Sequence, residues 1–294
     1  MITDRDTNFV YFSSLIKERP ALKSFWQSLE KELKRAGISY DFIGNTNDIW
    51  CRDYMPVQVA PKQFVQFKYY PSYCDTKKYR HTITDTTQIQ LSTPLSGKHV
   101  QHTLLLDGGN VVRSGNAVVM TERIFKENKT LAKEDVVAQL KQALQVEQLY
   151  LIPSQPGDFT GHSDGMVRFV NDHTLLVADY SGEKDYWKTR YRNALQKTGL
   201  RLIEFPAAPL EEKNENGDYP ATGCYINFAW IGNVILFPQF ELPEDKEALK
   251  EAKRIFKDCQ IIPVPAADLA EDGGVLNCAT WNVRSDRQTA NMIS

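Results

Sequence analysis

The sequence predicts an α/β protein made of five ββαβ units, set in a pseudo-fivefold ring that the two chain ends close. Three observations predict it. A strand–turn–strand–helix–strand pattern recurs along the chain. Prolines close the last strand of three copies, at a spacing too long for an ankyrin-type solenoid. Each chain end also carries the part of a unit that the other lacks, and joining them leaves no exposed sheet edge.

The first unit begins at "MPVQVAPKQFVQFKYY" (55–70), whose β-rich runs are separated by Ala60-Pro61. It passes a weakly periodic helix near 84–92 and ends at "HTLLLD" (102–107). The second runs from "NVVRSGNAVVMT" (110–121) through the helical "KEDVVAQLKQALQ" to "LYLIP" (149–153). The third joins "GMVRFVNDHTLLVADY" (165–180) to "DYWKTRYRNALQKTG" and "LRLIEFP" (200–206). The fourth is the clearest. "YINFAWIGNVILFPQF" (225–240) turns at Gly-Asn, and "EDKEALKEAKRIFKDC" sets Leu249, Ala252, Ile255 and Phe256 at helical spacing among Lys and Glu. "QIIPVP" (260–265) is its last strand. The fifth needs both ends: "NCATWNV" (277–283), "TNFVYFSSLI" (7–16), the helix 20–37 and "ISYDFIG" (38–44). An ordinary α/β sandwich is the alternative, and the completed fifth unit favours the ring. The whole chain, 1–294, is read as one domain.

Composition narrows the function. Of 294 residues 24% are charged and 42% apolar, which marks a folded globular protein. A net charge of −2 gives no electrostatic case for nucleic acid or an anionic membrane as partner. No apolar stretch reaches membrane-spanning length, and the N-terminus has acids where a signal peptide needs a basic region. Five scattered cysteines without a C-x-x-C pair argue against a disulfide framework or structural zinc, so a cytoplasmic location is expected. His81, His99 and His102 show no metal-ligand spacing. Homo-oligomerisation is compatible with the sequence but not readable from it. The basic runs "RYRN" (190–193) and "WNVRSDRQ" (281–288) read as solvated surface.

Residues with chemistry in them fall where successive units begin. "NDIWCRDYMP" (47–56) opens the first, "LDGGN" (106–110) the second, "GDFTGHSDGM" (157–166) the third and "GGVLNC" (273–278) the fifth. "GCYINF" (223–228), opening the fourth, carries no acid. Asp53, Asp107, His162, Asp164 and Cys278 are thereby collected in one place. Each has a plainer explanation alone: Asp53 in an ion pair with Arg52, Asp107 as a turn former, His162 and Asp164 as loop polar residues, Cys278 as an inert buried thiol. Their equivalent positions in the repeat favour a shared site.

A Cys-His-Asp nucleophile system needs only one acid, and further acids in a closed pocket repel one another unless the ligand is cationic. A guanidinium fits, being planar, permanently charged and able to present N–H donors in pairs to carboxylates. Two acids can hold its nitrogens while a thiolate attacks its carbon. The bound cation itself favours thiolate, and a histidine can move the protons.

Here the sequence resembles the agmatine deiminase and bacterial (Porphyromonas-type) peptidylarginine deiminase family of the guanidine-modifying (pentein) superfamily. "DIWCRDYMP" resembles its W-x-R-D-x-x-P motif, "LDGGN" its [E/D]-G-G-[N/S], "GHSDG" its G-H-x-D, "YINFAWIGNVILFPQF" its Y-I/V-N-F…PQF stretch and "GGVLNC" its G-G-x-x-H-C. These motifs run in family order from residue 47 to 283. The resemblance implies a five-bladed α/β propeller and a hydrolase needing no cofactor and no metal. It would convert a small cationic guanidino substrate to a ureido product and ammonia, with agmatine to N-carbamoylputrescine foremost. Free or peptidyl arginine, amidine transfer to an amine, and a non-catalytic binding propeller are the alternatives. It implies Cys278 as the nucleophile forming a covalent thiouronium, His162 as acid and then base, and Asp107 as the partner that orients His162. Asp53 and Asp164 would bind the guanidinium. Trp50, a channel or core aromatic, and Asn110, the last residue of its motif, are grouped with them as substrate-binding. Two departures bear on substrate identity: Asn277 stands where many agmatine deiminases have His, and "RDYMP" replaces R-D-[ST]-G-P. Cys51 and Asn277 receive no role.

Overall fold

The computed structural model describes residues 1–210, 212–214 and 217–286. They form an α/β fold of five separate sheets with a recurring internal order: an antiparallel pair of strands, then a parallel partner reached by a crossover. The first sheet unites the chain ends. Phe9–Ser13 pairs antiparallel with Trp281–Val283 and parallel with Ser39–Gly44, in register Val10↔Asn282 and Val10↔Tyr40. The helix Lys23–Arg35 makes this crossover and buries Phe25, Trp26, Leu29 and Leu33, a stripe at helical spacing.

The second sheet orders Val57–Ala60, Gln63–Lys68 and Lys98–Leu105, and the third Val112–Arg113, Ala117–Thr121 and Gln148–Ile152. Val167–Asn171, Thr174–Ala178 and Arg201–Phe205 make the fourth, and Ala229–Ile231, Val234–Gln239 and Gln260–Pro265 the fifth. Lys133–Leu144, Asp185–Gln196 and Asp245–Ile255 are the crossover helices of the last three. In the last of these Ala248 and Ala252 are buried, and Leu249 and Ile255 pack against the core from its margin. Asp245, at its first turn, accepts from Tyr225 Oη at 2.7 Å and from the Phe240 and Glu241 amides.

Three expectations are corrected. No α-helix forms near 84–92: the second sheet's crossover contains a 3-10 turn at Arg80–Thr82, and Gln90–Leu91 is a short strand added antiparallel to Ser39–Gly44. "DTTQIQLSTPLSG" is poor in helix formers and has no helical apolar stripe, so an edge strand wins. Trp281–Val283 is a buried strand, not solvated surface, because the β-run outweighs its flanking charge. Residues 287 and 288 of that basic run lie outside the described residues. Finally, the first strands of the units start later than their apolar runs suggest. Tight turns come first: Cys51–Tyr54, Gly108–Asn110, 163–166, 224–227 and 275–279. Every motif residue singled out above for catalysis lies on or immediately beside one of these turns.

Candidate active site

The turns are stitched together by backbone groups. Arg52 N donates to Cys278 O at 3.0 Å, Asp164 N to Gly109 O at 3.1 Å and Asn277 N to Asn227 O at 3.0 Å. Gly109 N donates to Asp53 Oδ1 at 3.0 Å, so one glycine touches both the Asp53 and the Asp164 turns. Cys224 Sγ lies 3.6 Å from Gly165 O and supplies the remaining neighbour contact.

The glycines of "LDGGN" follow from this crowding. A Cβ on Gly108 would sit 2.0 Å from Arg52 O, and one on Gly109 would sit 2.5 Å from His162 Nδ1 and 2.6 Å from Asp53 Oδ1. Only a residue without a side chain lets the backbone pass so close to the site.

Within that frame the acids, the imidazole and the thiol converge. Asp53, Asp107, Asp164 and His162 are buried, and Cys278 is partly exposed. His162 Nε2 lies 3.0 Å from Asp107 Oδ2, and Nδ1 lies 3.6 Å from Asp53 Oδ1. Cys278 Sγ is 3.6 Å from Asp164 Oδ2 and 3.4 Å from Asn227 Oδ1.

Burial alone would strip His162 of its proton, but Asp53, Asp107 and Asp164 outweigh it and hold the imidazolium well above its ordinary range. Asp53 is pushed up by burial, with Asp107 and Asp164 adding to that and His162 opposing it. Burial, then the charges of Asp164 and Asp53, push the Cys278 thiol well above the usual cysteine range. The same acids thus favour the neutral form of the Cys278 thiol and the charged form of the His162 imidazole. A cationic ligand between the acids relieves their repulsion and makes the thiolate easier to form. Among the described residues no group of three or more His, Cys, Asp or Glu is placed to hold a metal ion.

The other two residues expected to bind substrate have structural contacts. Trp50 is half-buried, its ring filling the space that a Cβ on Gly274 would need, 2.6 Å away. Asn110 is buried; its side chain accepts the Thr121 amide at 2.8 Å, and its own amide donates to the Asp107 carbonyl at 3.0 Å. Cys51 is a buried thiol donating to Ala279 O at 3.1 Å, raised to about 12 by burial.

Four further residues complete the site; Tyr73, Phe159 and Asn227 have no mark in the sequence, and Asn277 stands out there only as a motif departure without a role. Tyr73 Oη donates to Asp107 Oδ2 at 2.9 Å and lies 3.4 Å from His162 Nε2. Its ring packs edge-on to Phe159, 5.5 Å away, and Phe159 is 43% exposed at the surface over the site. Asn227 Oδ1 accepts the Cys278 amide at 3.3 Å. Asn277 Nδ2 donates to Asp164 Oδ2 at 2.7 Å, and its Oδ1 accepts from Arg168 Nη1 at 2.8 Å. Tyr73 belongs to an aromatic-rich stretch with no motif, so nothing in its spacing marks it. Asn227 was legible in principle, as the fourth unit's counterpart to the residues on the other turns. A wide groove of about 630 Å³ lies elsewhere, lined by Tyr69, Tyr70, Thr86 and His102 among others, and contains none of the reactive side chains.

The chain resembles known proteins along its length. An agmatine deiminase of Pseudomonas fluorescens is 25% identical over 206 residues, 60% of this chain and 56% of the relative. A putative agmatine deiminase of Shewanella baltica is 28% identical over 214 residues, 63% and 58% of the two chains. The match thus spans under two thirds of the length of these curated relatives. Among solved structures, the agmatine deiminase of C. jejuni superposes with a TM-score of 0.74 at 18% identity, covering 98% of this chain and 96% of the other. A putative arginine deiminase from Porphyromonas gingivalis gives 0.77 at 18% identity, with 96% and 97% covered. These likenesses establish a shared α/β fold. Residues 14–283 match the sequence pattern of the Porphyromonas-type peptidyl-arginine deiminases, and the chain belongs to that family.

Proposed function

We propose that this protein is a hydrolase that deiminates a small guanidino substrate, foremost agmatine, giving N-carbamoylputrescine and ammonia. One observation carries the reading: a thiol, an imidazole and three buried carboxylates are held on four adjacent turns, with Asp107 on His162 at 3.0 Å and Asp164 by Cys278 at 3.6 Å. The relatives named agmatine deiminases support the substrate. So does Arg123, which lies over the Tyr73 ring at 5.2 Å but is paired with Glu127 at 2.6 Å, favouring an amine-tailed substrate over one with a carboxylate to neutralise.

Asp53 and Asp164 receive the guanidinium, with Trp50 and Asn110 holding the surrounding frame. The cation's charge offsets that of the acids, and Cys278 gives up its proton to solvent and attacks the guanidino carbon as thiolate. His162, held as imidazolium by Asp107, protonates the departing nitrogen, which leaves as ammonia. The S-linked thiouronium then takes water at the same carbon and His162 accepts one of its protons; as the C–S bond breaks, the other passes to the departing sulfur, releasing the ureido product and regenerating the Cys278 thiol. No electrons are exchanged and no cofactor is needed.

The five sheets are read as blades of one propeller, because the turns that carry the site touch in cyclic order. We take the chain as a single cytoplasmic domain; none of its described helices is long and apolar enough to cross a membrane. Incubation with agmatine, free arginine and an arginine peptide tests the reading, with ureido product and ammonia measured and Cys278→Ala as control. Agmatine should be turned over fastest and the variant should be inert. No product from any guanidine defeats the reaction, and product from the variant defeats the nucleophile.

A further inference from the structure

Polar side chains behind the site form one chain, buried at Asp164, Asn277 and Arg168 and partly exposed at Asp4. Asp164 Oδ2 accepts from Asn277 Nδ2 at 2.7 Å, Asn277 Oδ1 accepts from Arg168 Nη1 at 2.8 Å, and Arg168 Nη2 donates to Asp4 Oδ2 at 2.8 Å. Asp4 opens the short 3-10 turn Asp4–Asp6 near the start of the chain, and its other oxygen accepts from Asn282 Nδ2 at 3.0 Å. The Arg168 side chain is 5% exposed and lies over the Phe228 ring at 4.9 Å, which fixes its plane.

The direction of each hydrogen bond is determined. A guanidinium only donates, so Arg168 claims the amide oxygen of Asn277 and leaves its NH2 facing Asp164. The residue at 277 must therefore accept on one side and donate on the other. A neutral imidazole does the same, which explains how Asn can stand where the family motif quoted above has His. An aspartate of the same shape satisfies Arg168 but sets a second carboxylate against Asp164.

We propose that Asn277, Arg168 and Asp4 are positioning residues, a relay that holds the Asp164 carboxylate and transmits to it, and through it to Cys278, the balance of charge at the far end of the chain. The proposal rests on the reading of Cys278 as nucleophile, but its signs are independent of turnover. Arg168 places positive charge behind the site, and Asp4, which also faces Arg113 Nη2 at 3.5 Å and the nearby charge of Arg52, partly cancels it. Removing the first makes the Cys278 thiolate harder to form, and removing the second makes it easier.

The experiment follows iodoacetamide labelling of Cys278 against pH, read on its peptide by mass spectrometry, with thermal melts to confirm folding. Relative to the parent protein, Arg168→Met and Asn277→Asp should move the labelling midpoint up, and Asp4→Asn should move it down, each by about half to one pH unit, as expected for a unit charge nearby in a partly polar interior. Asn277→His should restore the parent midpoint. If Asp4→Asn or Arg168→Met does not fold, the Asn277→Asp and Asn277→His pair decides alone. Shifts of one sign in all variants, or none, overturn the relay. Absence of guanidine turnover in the parent protein would instead overturn the proposed reaction, leaving the labelling result intact.

Discussion

The chain contains two Gly-Gly pairs that look alike in sequence, Gly108-Gly109 after Asp107 and Gly273-Gly274 after Asp272, and they exist for different physical reasons. In the first pair both glycines are demanded by contact: each Cβ would enter the Arg52 backbone or the His162–Asp53 pair. In the second, Gly273 has nothing within 4 Å of its Cβ position but a φ of +91°, whereas Gly274 faces the Trp50 ring. The preceding acids differ too. Asp107 is buried against His162, whereas Asp272 follows the helix Ala267–Glu271 and lies 3.5 Å from Arg19 near the surface. The same dipeptide can thus mark two close approaches in one place, and one close approach after a change of backbone handedness in another.

Gly109→Ala should break the comparison most severely. The methyl must push His162 or Asp53 aside by about 1 Å, and misplacement of that size costs roughly 10²-fold in rate. Steady-state kinetics should show kcat/KM for agmatine down by about that factor or more, with the fold preserved in circular dichroism. Activity near that of the parent would mean that the tightness around Gly109 is not functional.

Asp107→Asn sharpens the contrast between the two acids. Asp107 helps hold the proton on His162, so losing its charge lowers the pH at which the imidazolium disappears. Because the free protein needs that proton to expel ammonia, the alkaline limb of kcat/KM should move to lower pH and the maximum should fall about 10²-fold. Asp272→Asn should leave both unchanged. An unmoved alkaline limb in Asp107→Asn would show that another group titrates there.

Much of this was legible in the sequence for a specific reason. The ββαβ repeat survives as five sheets because period-2 and helical patterns are enforced by burial, as in Val234–Gln239 and Lys23–Arg35. The pairing of Phe9–Ser13 with Trp281–Val283 followed from two incomplete units. Cys278, His162, Asp53, Asp107 and Asp164 stood out because short motifs placed them at equivalent points. Tyr73 and Asn227 did not, because their roles are set by partners distant in sequence, Asp107 and Cys278; Asn277 stood out as a motif departure, but its role is set by the distant Asp164–Arg168 pair. The irregular crossover before Lys98–Leu105 also escaped, having neither a strong apolar period nor strong turn chemistry.

The smallest effect tests the other half of the comparison. Gly273→Ala meets no neighbouring atom, so its whole cost is that of holding an L-residue in left-handed backbone, about 1–2 kcal/mol. For a chain of this size each kcal/mol lowers the thermal midpoint by about 2–4 °C. The turn 275–279 that carries Cys278 is fixed separately, by Asn277 N on Asn227 O and Ala279 N on Val275 O. Gly273→Ala should therefore lower the melting temperature by a few degrees while leaving kcat and KM for agmatine unchanged. A loss of kcat without loss of stability would mean that the backbone at Gly273 aims the nucleophile, and that both Gly-Gly pairs belong to the catalytic frame.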